Sequence, residues 1–432
     1  MCVIRRSLLV ETGAAIVIAW CGDAAAASFD VKIGGDAYFT AGYVGQSNDG
    51  ANIGVQRHDF ANRFNLEVTP LAKADNGLEY GASLRLRAYQ PTGILDSQMA
   101  YIFAVSRYGR VEAGVSGSPN SRYGVNAPTG FGTGGVAGDW GTGSGWVQNQ
   151  TTYLGSVFDG DFNSITDTNS ATRLSYFTPR FFAQEHGRSA PEDPETGAMA
   201  MVSFLPQNLS VGTDVRRGRH VSRTGQSFCA ATQPRAASAL SGCAYKNVVE
   251  GDLRYDGKFG DVSVAASASF ERGETPGDAT GVSYYPLSVY QVGLSLGYAG
   301  FLLGGSFNDA GKSSYARNQG YFLEDQKAVT AGISYETGPV VVGFSYAHGQ
   351  DAGDVTVAGK RSADLYALGV TYNLAPGLAT SLEYLRSLTT NEPGYLKDPF
   401  GNDALGLPAS AGGTGYGSGG ASMVLWKNSI TF

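Results

Sequence analysis

Between Tyr290 and Tyr298, large apolar side chains hold every second position (Tyr290, Val292, Leu294, Leu296, Tyr298), and Gln291, Gly293, Ser295 and Gly297 fill the positions between. A strand sends alternate residues to opposite faces, so this spacing predicts a β-strand with one greasy face and one small, polar face. The pattern recurs with Val329, Ala331, Ile333 and Tyr335 against Thr330, Gly332 and Ser334, and with Tyr366, Leu368, Val370 and Tyr372 against Ala367, Gly369 and Thr371. Which way the greasy face points decides the fold class. A soluble sandwich turns it inward and needs large side chains there to interdigitate. Here aromatic residues bracket the stripe, with Tyr290 and Tyr298 roughly 26 Å apart at about 3.3 Å per residue. Tilted by about 40°, the stripe covers roughly 20 Å of a membrane normal, close to the ~25 Å apolar band of a transmembrane barrel. The expectation is an all-β chain forming a transmembrane antiparallel β-barrel.

Composition supports this. The 432 residues include 61 Gly, 24 Tyr and 21 Phe, only 16% are charged, and the mean hydropathy is −0.13. A glycine inside a helix costs roughly 1 kcal/mol relative to alanine, which weighs against a helical protein. The aromatic content supplies the apolar surface that disordered chains lack. No run of about 18 consecutive apolar residues is present, so strands are the only spanning elements available. A net charge of −7 and a pI near 5.2 argue against a nucleic-acid partner.

Residues 1–27 read as a secretory signal: Arg5 and Arg6 precede an apolar stretch from Leu8 to Trp20, and Ala25-Ala26-Ala27 offers a cleavage site that leaves Ser28 first. Trp20 is too large for the residue preceding a lipidated cysteine, which argues against Cys21 as an anchor and leaves Cys229 and Cys243 in the mature chain. In an oxidising compartment these suggest one disulfide in an outward-facing loop, with two free loop thiols as the alternative. Their spacing does not fit a zinc site, and neither metal nor cofactor is expected.

Turn signals at Asn76-Gly77, Tyr108-Gly109, Gly260-Asp261, Ala299-Gly300, Thr337-Gly338 and Pro376-Gly377 punctuate the alternation. The last four are about 39 residues apart, the length of two strands, one tight turn and one longer loop. Strands are expected over 29–42, 62–73, 78–89, 98–107, 110–117, 173–182, 247–259, 262–273, 287–298, 301–310, 327–337, 339–350, 363–374, 378–389 and 419–432. An even barrel needs one more between Phe182 and Lys246, along Phe182–Ser189 or Met199–Phe204, giving sixteen; if Met199–Phe204 and Leu209–Val215 both span, the count is eighteen. Residues 28–432 then form the barrel, with 119–172 as a loop folded into the lumen and 190–246 as a long extracellular loop region. The inward faces are small and polar, including Glu250, Asp252 and Arg254 opposite Val249, Gly251, Leu253 and Tyr255, and suit a water-filled lumen.

The opening Phe29-Asp30-Val31-Lys32-Ile33-Gly34-Gly35, the strand Arg107-Tyr108-Gly109-Arg110-Val111-Glu112-Ala113-Gly114, the strand Arg173-Leu174-Ser175-Tyr176-Phe177-Thr178-Pro179-Arg180-Phe181 and the terminal Phe432 follow in an order that resembles the Gram-negative general-diffusion porins, in particular the sixteen-stranded alphaproteobacterial type. The resemblance covers nearly all of the mature chain and departs from the family pattern over Phe182–Lys246, where Pro191-Glu192-Asp193-Pro194 interrupts the alternation. It implies a homotrimer in the outer membrane, surrounded by outer-membrane lipid and lipopolysaccharide, that passes small hydrophilic solutes and ions by passive diffusion. In the last strand, Val424, Trp426, Ile430 and Phe432 share one face, interrupted by Asn428, and resemble the signal read by the outer-membrane assembly machinery. That strand must pair, because an open edge cannot persist in hydrocarbon, and the strand 29–42 is its expected partner.

On the strand from Leu78 to Tyr89 the outward set Leu78, Tyr80, Ala82, Leu84 and Leu86 sends Arg85 and Arg87 inward, and Arg63 lies opposite the outward Phe64. A basic wall of the constriction is expected, unless these arginines sit at a rim or pair with Glu67 or Glu79. In the family the long loop forms the facing wall. The residues from Pro119 to Thr172 would supply it, with Asp139, Asp159, Asp161 and Asp167 as its acids, although calcium or solvent would serve those acids equally well. A solute-specific channel is the nearer alternative and an outer-membrane hydrolase the more distant one. Of His58, His186, His220 and His348 only His348 falls near a strand end, and sequence spacing provides it with neither nucleophile nor carboxylate.

Overall fold

A computed structural model describes residues 30–46, 57–89, 94–138, 171–179, 208–216, 246–274, 285–313, 317, 323–351, 360–393 and 416–432. Its strands, in chain order, are β1 (Asp30–Gln46), β2 (His58–Lys73), β3 (Glu79–Tyr89), β4 (Ile94–Ser106), β5 (Gly109–Ser116), β6 (Ala171–Phe177), β7 (Asn208–Arg216) and β8 (Lys246–Phe259). They continue as β9 (Val262–Glu274), β10 (Leu287–Tyr298), β11 (Phe301–Gly311), β12 (Gln326–Thr337), β13 (Val340–Asp351), β14 (Arg361–Ala375), β15 (Leu378–Pro393) and β16 (Tyr416–Thr431). Each strand is hydrogen-bonded to its sequence neighbours, and β16 returns to β1, so the sheet is a closed antiparallel barrel without an edge.

The count of sixteen agrees with the sequence expectation, but the sixteenth strand does not lie where it was sought. It is β7, Asn208–Arg216, which pairs with β6 at Leu174↔Val215 and with β8 at Val211↔Leu253. With both of its edges used, no further strand fits between β6 and β8, which excludes the eighteen-strand count. Phe182–Ser189 and Met199–Phe204 lie outside the described residues. Alternation over Leu209–Val215 is as regular as over Met199–Phe204, and only pairing to β8 chooses between them.

The alternation points as expected. Val292, Leu294 and Tyr298 expose 55%, 50% and 57% of their surface on the outer face, whereas Gln291 exposes 1%. Tight turns close one end of the barrel, and at these the six glycines expected there (Gly77, Gly109, Gly260, Gly300, Gly338, Gly377) all have positive φ. Gly377, at φ 75°, shows why the residue type matters: its carbonyl accepts from Thr431 N at 2.7 Å, a turn-to-strand bond made from a backbone region that side chains disfavour. Short turns at one end and long connections at the other orient the barrel, the long-loop end being extracellular in outer-membrane barrels. Among the described residues no helix is long and apolar enough to cross a membrane.

Closure is made by the termini. Gly35 and Phe432 exchange two backbone hydrogen bonds, N→O 2.8 Å and O←N 3.0 Å. The Phe432 ring packs 6.1 Å from that of Phe64. Val424, Trp426, Ile430 and Phe432 all face outward, as their spacing predicts.

One part of the inner face departs from expectation. Near the long-loop end Leu287, Val289, Leu365, Leu385, Met423 and Leu425 point inward and are at most 1% exposed. They belong to an apolar cluster with Ala127 and Val136 of the inserted loop. An inward position covered by protein is not required to be polar, and burying such a side chain stabilises by about 1.5–3 kcal/mol.

Candidate pore constriction

The chain leaves β5 into the lumen rather than over the rim. Ser118 caps a short helix, α1 (Pro119–Tyr123), by accepting from Ser121 N at 3.1 Å, and Pro119 is placed at the helix start where its missing N–H costs nothing. From α1 the loop runs along the inner wall and is fastened at each step. Asn120 N donates to Glu250 Oε1 of β8 (2.8 Å), and Asn120 Nδ2 donates to Ser269 Oγ of β9 (3.0 Å) and Gln291 Oε1 of β10 (2.6 Å). Val125 N donates to Ser267 Oγ (2.8 Å), Ala127 N to Thr330 Oγ1 of β12 (3.4 Å) and Val136 N to Ser345 Oγ of β13 (3.1 Å). A 3₁₀ turn, Gly135–Ala137, follows. The last fastening is to Glu383 of β15, whose carboxylate is 1% exposed and accepts from Thr133 N (3.0 Å), Thr133 Oγ1 and Gly135 N (2.9 Å).

The loop lies this close because the wall beneath it lacks side chains. Inward positions on five successive strands, β10 to β14, are Gly293, Gly304, Gly332, Gly343 and Gly369, and a Cβ added to them would strike Val125, Asn126, Pro128, Phe131 and Gly132 in turn. Phe131 sits in this groove completely buried. The alternation shows these glycines as small inward residues; only the registered pairing reveals that they align into one groove.

The loop thus covers the wall from β8 to β15. Counted around sixteen strands, the opposite arc centres on β3, and there the expected arginines are found. Arg63, Arg85 and Arg87 face inward, the last two opposite Glu67 and Asn65 in the register. Arg63 Nη2 lies 3.3 Å from Asp36 Oδ2, and Arg85 Nε lies 3.5 Å from Glu67 Oε2. Of the pairings anticipated from sequence, Glu67 is therefore realised, whereas Glu79 pairs with Lys73 at 2.9 Å. A bulge in the β3–β4 pairing falls between Arg85 and Leu86, a device that re-aims side chains. Asp139, Asp159, Asp161 and Asp167, and the cysteines Cys229 and Cys243, lie outside the described residues.

The structure adds a cation that sequence reading missed. Lys427 on β16 points inward with its Nζ 4.3 Å from the centre of the Tyr38 ring, on which Arg63 also stacks at 4.8 Å. The signal was present, since Lys427 stands between Trp426 and Asn428 in an alternating strand, but only closure of β16 on β1 brings it next to β2. The basic arc therefore carries Lys427, Arg63, Arg85 and Arg87, with Asp36 and Glu67 among them. Glu250 and Asp252, expected to line open water, are instead buried against α1, where Glu250 pairs with Arg173 at 3.4 Å. Arg254 holds Asp256 at 2.8 Å and reaches Tyr123 O at 3.3 Å.

His348 does find a carboxylate: its Nδ1 is 2.9 Å from Asp364 Oδ1 on the adjacent strand, and Tyr346 Oη donates to the same oxygen at 2.6 Å. All three face outward, away from the lumen, in step with the outward Phe344, Tyr366 and Leu368.

The sequence pattern of the Gram-negative porins matches residues 13–392. Uncharacterised proteins of Rickettsia conorii and Rickettsia typhi are each 24% identical to the chain, over 354 residues (75% of this chain, 77% of the relative) and 403 residues (84% and 88%). Among solved structures, the anion-selective porin from Comamonas acidovorans is similar with a TM-score of 0.53 and 16% identity, over 94% of this chain and all of that one. The trimer form of OmpT, an outer membrane protein of Vibrio cholerae, reaches 0.51 with 11% identity over 94% of this chain and 100% of its own. At these identities the structures speak for the fold, and the family match for the kinship. A closed sixteen-stranded barrel with a loop fastened inside it, matched by that family's pattern over most of its length, places this chain among the Gram-negative porins.

Proposed function

We propose that the chain forms a water-filled channel for passive diffusion of small hydrophilic solutes and ions across the outer membrane, narrowed between the inserted loop and the basic arc of Lys427, Arg63, Arg85 and Arg87. The observation that carries this reading is the seating of residues 119–138 across the wall from β8 to β15, which leaves free passage only along the opposite, basic side. The reading has no catalytic step, and the one His–Asp pair described, on the outer wall, suits none in the lumen. The trimer form recorded for the Vibrio protein supports a homotrimer of this chain, embedded in outer-membrane lipid and lipopolysaccharide.

Conductance of the purified protein in planar bilayers, combined with uptake of sugars of graded size into proteoliposomes, tests the proposal. Ohmic current in steps of three and uptake that falls smoothly with solute size are expected. Uptake that saturates with one solute and excludes others of equal size would indicate a specific channel instead.

Export and oxidation belong to the same reading: cleavage after Ala27 and a Cys229–Cys243 disulfide worth at most about 3 kcal/mol. Intact mass of the mature protein reads both. The expected mass starts at Ser28 and falls two hydrogens short of the reduced form; a chain keeping residues 1–20, or the full complement of thiol hydrogens, contradicts one or the other.

A further inference from the structure

On the outer wall, at the long-loop end of β10 and β11, lies a cleft of about 370 Å³ lined by Tyr285, Ser288, Tyr290, Asp309 and Lys312 among others. It is separated from the lumen by the sheet, and the conduction pathway makes no use of it. Its floor is firmly built: Ser288 N donates to Ser313 Oγ at 2.9 Å, and Gln326 Nε2 donates to Ser313 O at 2.7 Å. A bulge between Asp309 and Gly311, with Gly311 at φ 50°, turns the end of β11 outward around it.

The charges around the cleft are unevenly matched. Its one acid, Asp309, is engaged on both oxygens, accepting from Gly311 N at 2.9 Å and lying 3.7 Å from Lys327 Nζ. The cations are engaged with rings. Arg272 donates to Tyr290 Oη and stacks 5.7 Å from that ring, and Arg317 stacks 4.8 Å from Tyr285. Lys312 is exposed at the rim. With Asp309 offset by Lys327, three cations and two aromatic faces border a cleft in which the described residues place no other acid. Directly below, toward the membrane centre, Val292 and Phe307 are 55% and 44% exposed on the lipid-facing wall.

We propose that this cleft binds the phosphorylated head group of an anionic, acylated glycolipid of the outer leaflet. Phosphate is held by Arg272, Lys312 and Arg317, the sugar face lies against Tyr285 or Tyr290, and the acyl chains run down over Val292 and Phe307. Each part of the ligand answers an observation: a cation cluster needs an anion, guanidinium groups suit phosphate oxygens, and a site open to hydrocarbon on one side selects an amphiphile over a free anion. Long cationic side chains at a membrane interface present their heads to lipid phosphates in this way. The inference rests on the chain being an outer-membrane barrel, though not on how its pore selects.

The test uses the full-length protein in nanodiscs containing a stated fraction of bisphosphorylated lipid A, with its dephosphorylated form and inorganic phosphate as separate probes, read by native mass spectrometry. Wild type is expected to retain lipid A through delipidating detergent, to retain the dephosphorylated form at least fivefold less, and to release none of it to inorganic phosphate at millimolar concentration. The triple variant R272A/K312A/R317A is expected to retain at least fivefold less lipid A, with unit conductance and heat-modified gel mobility unchanged. Equal retention by the variant, equal retention of the dephosphorylated lipid, or displacement by free phosphate overturns the proposal. The conductance arm keeps that failure distinct from failure of the channel reading, and single variants R272Q and K312Q replace the triple if it does not fold.

Discussion

Channels in which Arg85 and Arg87 are both replaced by alanine are expected to shift their zero-current potential toward cations and to conduct more. The two side chains project from β3 into the arc left open by the loop, and neither packs against lipid, so the barrel itself is expected to form normally. A unit charge about 8 Å from a passing ion contributes ~0.5 kcal/mol in water, of opposite sign for anion and cation, so each charge removed changes the cation-to-anion permeability ratio about fivefold. Two together give a change on the order of tenfold or more, and low-dielectric walls increase it. Lys427→Ala is expected to act in the same direction. Reversal potentials in a salt gradient decide the matter. If selectivity and conductance stay as in wild type, the arginines lie outside the narrowest section and the site assignment falls, while the barrel stands.

The second large effect is expected from Glu383→Ala. That carboxylate is buried and accepts three hydrogen bonds from Thr133 and Gly135, the far end of the described loop. A hydrogen bond to a charged group contributes about 1.5–3 kcal/mol, and the donors left behind lose a partner in a place water reaches poorly. The loop is therefore expected to detach at this end, giving channels of larger and noisier unit current. Gly343→Leu approaches the same point from the wall side, since a side chain there occupies the place of the Phe131 ring. Heat-modified mobility should persist in both variants, because the strand-to-strand hydrogen bonds of the barrel are untouched. Unit currents as quiet and as small as wild type would show that the loop is held without Glu383.

Most of the barrel was legible because the barrel obeys a two-residue period. Once Tyr290, Val292 and Leu294 are assigned to lipid, Gln291 and Gly293 can only point inward, and the same logic correctly oriented Arg63, Arg85 and Arg87. Turn chemistry fixed the strand ends at one side of the membrane, since Gly300 and Gly377 are needed where φ is positive. The strand β7 was not found in place, because Met199–Phe204 and Leu209–Val215 alternate equally well and the choice is made by the unpaired edges of β6 and β8.

By itself, then, the sequence determined the fold class, the strand count and the face on which each side chain lies, all of which follow from local periodicity and turn stereochemistry. The tertiary structure decided what crosses the lumen. Thr133 and Glu383 are 250 residues apart, as are Lys427 and Tyr38 by a still greater separation, and no periodicity relates them. The glycine groove exists only because five strands are in register, and Lys427 joins the arginines only because β16 closes on β1. Alternation assigns a residue to a face; register and closure, which depend on every strand at once, assign it a neighbour.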